Sequence, residues 1–224
     1  MNNSADASAP APGRRWAALA GLIIALALAD SSLASRIAPG DALSDRLIHE
    51  AFWWSYAAIV IAWLVLVERQ TLSAIGFRRP TWRTLVFGVL GGVVAIVLMI
   101  AHWVLVVPLF HLNGGHAGDV REQIMATPYW YRVLMVTRAA VVEELLFRAY
   151  IIEKVRQLTG SWIAGVLVSV IAFTYAHLSG WGMVQLIPVA AVGLLFALIY
   201  VWRRDTPSNI IAHFITDGMG FLMG

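Results

Sequence analysis

No cysteine occurs in the 224-residue chain, which excludes disulfides, thiolate metal sites and a cysteine nucleophile. Charge is scarce as well: 13% of residues are Asp, Glu, Lys or Arg, against 60% hydrophobic. Soluble domains carry about 25% charged and about 45–50% apolar residues, so this composition excludes one. Lysine is reduced to Lys154, and most of the remaining basic residues are arginines at the ends of apolar runs. The net charge of +3 and pI near 9.6 therefore read as membrane topology, not as a nucleic-acid surface. Neither an internal repeat nor a His-Glu-x-x-His zinc motif is present.

What is present is long apolar stretches, with a mean hydropathy of +0.75. The runs are too long and too uniform for barrel strands, and backbone polar groups at bilayer depth must be satisfied within the helix. The expected fold is all-α, a polytopic membrane helical bundle. At about 20 residues per span it has about seven transmembrane helices, with room for six to eight. Residues 1–13, rich in Ala, Ser, Pro and Asn, read as a disordered tail, and 14–224 as one integral-membrane domain. Arg14-Arg15 before an apolar run also fits a signal peptide cleaved near Ala34, but an uncleaved first span to about Ser35 accords better with the spans that follow.

Further spans are expected at 51–67, 85–107, 132–152, 161–177 and 184–202, with a short last run after Pro207. Gly88, Gly91 and Gly92 mark the third as a site of close helix approach. A short interfacial helix is expected at 119–126, followed by an aromatic anchor of Tyr129, Trp130 and Tyr131. His102, His111 and His116 read as loop or interface residues, and Met219 and Met223 as packing. With the N-terminus inside, Arg14, Arg15, Arg69, Arg78, Arg79, Arg83, Lys154, Arg156, Arg203 and Arg204 collect on the inner side. Arg36, Arg46, Arg121, Arg132 and Arg138 collect outside, a bias that supports a cytoplasmic N-terminus.

The chemistry concentrates in Glu143-Glu144-Leu145-Leu146-Phe147-Arg148, inside an otherwise apolar span. An ionisable residue at the bilayer centre costs about 2.5–3.5 kcal/mol on insertion scales, so it marks function by default. Glu144 and Arg148 lie four apart, on one helix face and in the favourable acid-before-base order. They should neutralise each other and leave Glu143 facing a cavity. Two further apolar runs carry Phe173-x-x-x-His177 and His213-x-x-x-Asp217, each pair again on one face. Buried polar groups need partners, and on separate helices these satisfy each other only by converging. Strict alternation of spans places the three groups at different depths, so a helix must tilt or break; Gly180, Gly182 and Pro188 mark where.

The ordered series Glu143-Glu144-x-x-x-Arg148, Phe173-x-x-x-His177 and His213-x-x-x-Asp217 resembles the CAAX-processing and bacteriocin-immunity (CPBP, or Abi) family of intramembrane glutamic proteases. It covers 139–217, and departs in Asp217, where the family often has Asn. The resemblance implies a peptide bond cut by glutamate-activated water without a cofactor. Glu143 would be the general base, His177 would help hold the water, and His213 would stabilise the oxyanion with Asp217 as its partner. Glu144, Arg148 and Phe173 would support them. The implied substrate is a membrane-associated protein or peptide, with the lipid bilayer as the other partner and no nucleic acid. The Arg-rich, Lys-poor composition points to the cytoplasmic membrane of a GC-rich bacterium. Two rivals use the same residues: a zinc-dependent peptidase, since Glu143, His177, His213 and Asp217 have ligand chemistry, and a non-catalytic scaffold, immunity protein or proton-coupled transporter.

Overall fold

A computed structural model describes residues 12–27, 32–40 and 42–223. The expected tail lies outside the described residues up to position 11, while Pro12 and Gly13 belong to the first helix. Residues 28–31, within the expected first span, lie outside them too. The chain order is α1 (Pro12–Ala27), α2 (Ser32–Ile37), α3 (Leu43–Ala62), α4 (Trp82–Ala101), α5 (Gly115–Met125), α6 (Tyr129–Arg138, continuing to Thr159), α7 (Trp162–Ala176), α8 (Leu178–Arg203) and α9 (Thr206–Phe221). No strand occurs among the described residues, and the all-α reading holds. Helices α3 and α4 run on through wide π turns at Trp63–Val67 and His102–Val106.

Three helices are long and apolar enough to cross a membrane by length and composition: Leu43–Val67, Trp82–Leu109 and Leu178–Arg203. The other four expected spans correspond to α1, α6, α7 and α9, which are shorter or carry more polar groups. Helix α1 and α7 are apolar runs of 10–17 residues, and α6 holds the ionisable cluster. Boundaries follow local chemistry. Thr81 caps α4 in a reciprocal box with Thr84, Ser161 caps α7, and Pro207 occupies the first turn of α9. The short interfacial helix begins earlier than expected, at Gly115, and α8 begins at Leu178.

Helix α6 is the central column. Val142, Leu145, Leu146, Phe147, Tyr150 and Ile151 are buried in one core cluster with Leu22, Trp53, Tyr56, Val60, Val166, Phe173, Ala197 and Tyr200. Its far end is tied by Lys154 Nζ, which donates to Glu68, with Gln70 Oε1 at 2.8 Å, and by Tyr150 Oη, which donates to Glu68 at 2.6 Å. The helix most burdened with charge is thus the most enclosed, because only protein can supply partners at that depth.

Helix α9 lies along α4, over the glycine stripe. A Cβ at Gly88 would fall 2.7 Å from Ile211 Cβ, and one at Gly92 2.9 Å from Ile215 Cβ. Gly88→Val should therefore push α9 away from α4 and cost about 1–3 kcal/mol, the usual effect of overpacking. A fall in the thermal midpoint of the purified protein is the expected result, and unchanged melting would contradict this packing.

Candidate active site

Within α6 the segment Ala139–Ile151 is wound as a π-helix, in which hydrogen bonds reach five residues along the chain instead of four. The wider winding changes which side chains meet. In an α-helix residues five apart point about 140° from each other; here Arg138 and Glu143 come together, with Nη1 3.1 Å from Oε1. Arg138 was expected among the outer loop arginines. It is instead a mostly buried site residue, which also donates through Nε and Nη2 to Glu50 at 3.0 and 3.3 Å.

Glu144 and Arg148 pair at 2.9 Å, both fully buried. Arg148 lays its guanidinium over the Phe173 ring, 3.9 Å from the centroid. A Cβ at Gly193 on α8 would stand 3.0 Å from Phe173 Cδ1 and 3.6 Å from Arg148 Nη2, so the missing side chain makes room for that stack. Glu144 accepts two further bonds, from His213 Nδ1 at 2.8 Å and Asn209 Nδ2 at 3.1 Å. Both of its oxygens are committed to partners, which suits a scaffold better than a base.

Glu143 differs. One oxygen takes the Arg138 bond, and Oε2 faces His177 Nε2 at 3.7 Å and His213 Nε2 at 4.0 Å. His177 Nδ1 lies 2.7 Å from the carbonyl oxygen of Phe173. A carbonyl only accepts, so Nδ1 carries the proton and Nε2 is the nitrogen turned toward Glu143. His213 is held through Nδ1 by Glu144, leaving Nε2 near Asp217 Oδ2 at 3.4 Å. Asp217 thus faces Nε2 of His213, as the partner expected of it, while Glu144 holds the other nitrogen.

The three motifs meet beside a backbone break at one of the glycines noted in the sequence. Helix α7 ends at Ala176, His177 stands in the turn, and the backbone of α8 breaks at Gly182 (φ 73°, ψ 170°), a conformation that L side chains resist. Glu143, Phe173, His177, His213 and Asp217 line one cavity of about 640 Å³. Its remaining wall is mainly apolar, with Ile96, Met99 and Ile100 from α4 and Val189 and Val192 from α8. The separations of 3.7 and 4.0 Å exceed a hydrogen bond, so this oxygen of Glu143 is not committed to either imidazole.

Other readings change. Tyr131 is no surface anchor: it is buried and donates to Glu50 Oε1 at 3.3 Å, while Tyr129 and Trp130 are exposed as expected. His102 is buried in the wide turn of α4, and Met219 is exposed and lines the cavity. Four residues of the site were missed: Arg138, Glu50, Tyr131 and Asn209. The Arg138–Glu143 spacing is invisible to a 3.6-residue period. Glu50 precedes the expected second span by one position, yet α3 starts at Leu43 and carries it inside. Asn209 bears no pattern at all.

Residues 125–219 match the family model described as type II CAAX prenyl endopeptidase Rce1-like. Neither the curated proteins nor the solved structures include a match.

Proposed function

We propose, from the premise that residues 125–219 are an Rce1-like segment consistent with the CPBP family, that this membrane endopeptidase cuts by water activated on Glu143. The family match supports an integral-membrane peptide hydrolase as such. The observation that carries the finer reading is the asymmetry of the two adjacent glutamates. Glu144 is saturated by three donors, whereas Glu143 presents Oε2 to two imidazoles across a cavity.

In this reading water sits between Glu143 Oε2 and His177 Nε2. Glu143 takes one proton as the water oxygen attacks the carbonyl carbon of the scissile bond. His213 donates from Nε2 to the oxyanion that forms. Donation from Nε2 while Nδ1–H stays on Glu144 requires the doubly protonated ring, and the carboxylates of Glu143, Glu144 and Asp217 surround that charge. The tetrahedral intermediate then collapses: the C–N bond breaks, and the proton held by Glu143 passes to the leaving amine. No metal takes part in this scheme. Among the described residues no three His, Asp or Glu side chains are grouped to hold an ion, and cleavage should survive rigorous chelation of the purified protein. Activity lost to chelator and restored by zinc would favour the zinc reading.

Asp217 stands where an amide would both accept from His213 and donate to the oxyanion. Asp217→Asn should keep cleavage within about tenfold of wild type, a difference of about 1.4 kcal/mol. Complete loss would show that the carboxylate itself is needed.

The substrate is a protein or peptide whose cleavage site reaches membrane depth, in keeping with the apolar wall of the cavity. We place the chain in a bacterial cytoplasmic membrane with its N-terminus inside, on the distribution of its arginines. Comparing membrane peptides from cells carrying wild-type and Glu143→Ala protein tests the whole reading: fragments present only with wild type are expected. Identical peptide sets would overturn it.

A further inference from the structure

We infer that Glu50 and Arg138, one of them outside the family-matched segment, form a positioning relay that holds the Glu143 carboxylate by one oxygen and turns the other to the imidazoles. The inference rests on the reading of Glu143 as the base. Arg138 offers its donors in a rigid planar fork. Two of them, Nε and Nη2, engage the two oxygens of Glu50 at 3.0 and 3.3 Å, which fixes the plane of the guanidinium. The third, Nη1, then reaches only Glu143 Oε1, at 3.1 Å. Oε2 is left 3.7 Å from His177 and 4.0 Å from His213.

Glu50 is itself built in. It is buried on α3, receives the Tyr131 hydroxyl at 3.3 Å, and Arg138 also lies against the Trp53 ring, 5.8 Å from its centroid. A bidentate partner on a different helix is what stops the Arg138 fork from closing on both oxygens of Glu143. Without Glu50 the guanidinium is free to clamp that carboxylate symmetrically and occupy Oε2. Without Arg138 nothing among these contacts holds the carboxylate, and Glu50 loses both of its bonds from the guanidinium while keeping the one from Tyr131. The N-terminal half of the molecule, which carries none of the three motifs, thereby reaches the reacting group through α3.

The two roles of such a relay, structural and positioning, come apart in a double-mutant cycle on the full chain in phosphatidylethanolamine/phosphatidylglycerol vesicles. The probe is an internally quenched peptide spanning the cleavage site mapped in cells. Glu50→Gln and Arg138→Met should each lower kcat by about 10–100-fold, the range a misplacement of about 1 Å produces, with KM little changed. Arg138→Met should also melt early, because it takes both guanidinium bonds from Glu50, and adding Glu50→Gln should restore the melting temperature. Cleavage should stay as low in the double variant as in Arg138→Met. Arg138→Lys, which keeps charge but not the fork, should recover melting and only part of kcat. Infrared spectra of carboxylates labelled with ¹³C give a readout without substrate: the Glu143 band, identified as the one missing in Glu143→Gln, should move in both single variants.

Activity returning together with stability in the double variant would reduce the relay to a structural pair and overturn the inference. So would wild-type kcat and an unmoved band in both single variants, provided Glu143→Gln is inactive. Full activity in Glu143→Gln would instead overturn the reading on which the relay rests.

Discussion

Glu143→Gln should lose about 10²–10⁴-fold in cleavage, the usual contribution of a general base, while the protein folds and melts as wild type. Gln keeps the shape of the side chain, and its oxygen still accepts the Arg138 bond made at 3.1 Å. What it cannot do is take a proton from water. The comparison is therefore between two proteins with the same packing and different chemistry, measured by cleavage and by thermal unfolding in the same detergent. A folded Glu143→Gln protein that still cleaves would end the assignment of the base. A scaffold or immunity protein using the same residues predicts the opposite, since binding to a partner would depend little on the acidity of one side chain.

Glu144→Leu is expected to do the reverse, removing the fold before the chemistry is asked for. The substitution takes the acceptor from Arg148, His213 and Asn209 at once, and it leaves a fully buried guanidinium beside the Phe173 ring. Breaking a buried pair by removing one partner costs about 3–5 kcal/mol, a large part of the about 5–15 kcal/mol that holds a typical protein together. Little monodisperse protein should survive extraction. The double variant Glu144→Leu/Arg148→Leu should recover much of it, because two apolar side chains need no partners. Cleavage should stay absent, since His213 has lost the group that fixes its ring. Normal yield and melting for Glu144→Leu alone would show that the pair contributes little, and that α6 is held by its apolar contacts.

Together these variants divide the two adjacent glutamates by environment. One is enclosed by donors from α6 and α9; the other has a single donor and a cavity. Both lie in the same helix, one residue apart, and the sequence alone offers no reason to treat them differently beyond the pairing of Glu144 with Arg148. That pairing was legible because four-residue spacing survives in both the α- and the π-winding. The Arg138–Glu143 contact was not, because five-residue spacing means opposite faces in one winding and neighbours in the other. Tyr131 shows a similar limit. Aromatic residues at a span's end fit the membrane interface, and two of the three do so, but the third turns inward because Glu50 needs a donor.

Hydrophobic composition, the absence of cysteine and the length of the apolar runs were enough to determine a helical membrane protein, since bilayer depth allows a helix few alternatives. The convergence of Glu143, His177 and His213 was also legible, because polar groups on separate apolar helices have only each other to bond. Which glutamate is saturated, which nitrogen of each histidine faces the cavity, and that Glu50 on α3 reaches the site through Arg138 were decided by tertiary structure alone. These depend on helix winding, on the break at Gly182 and on the crossing of α3 with α6. Such distances between chain-remote atoms follow from packing, and no local pattern encodes them.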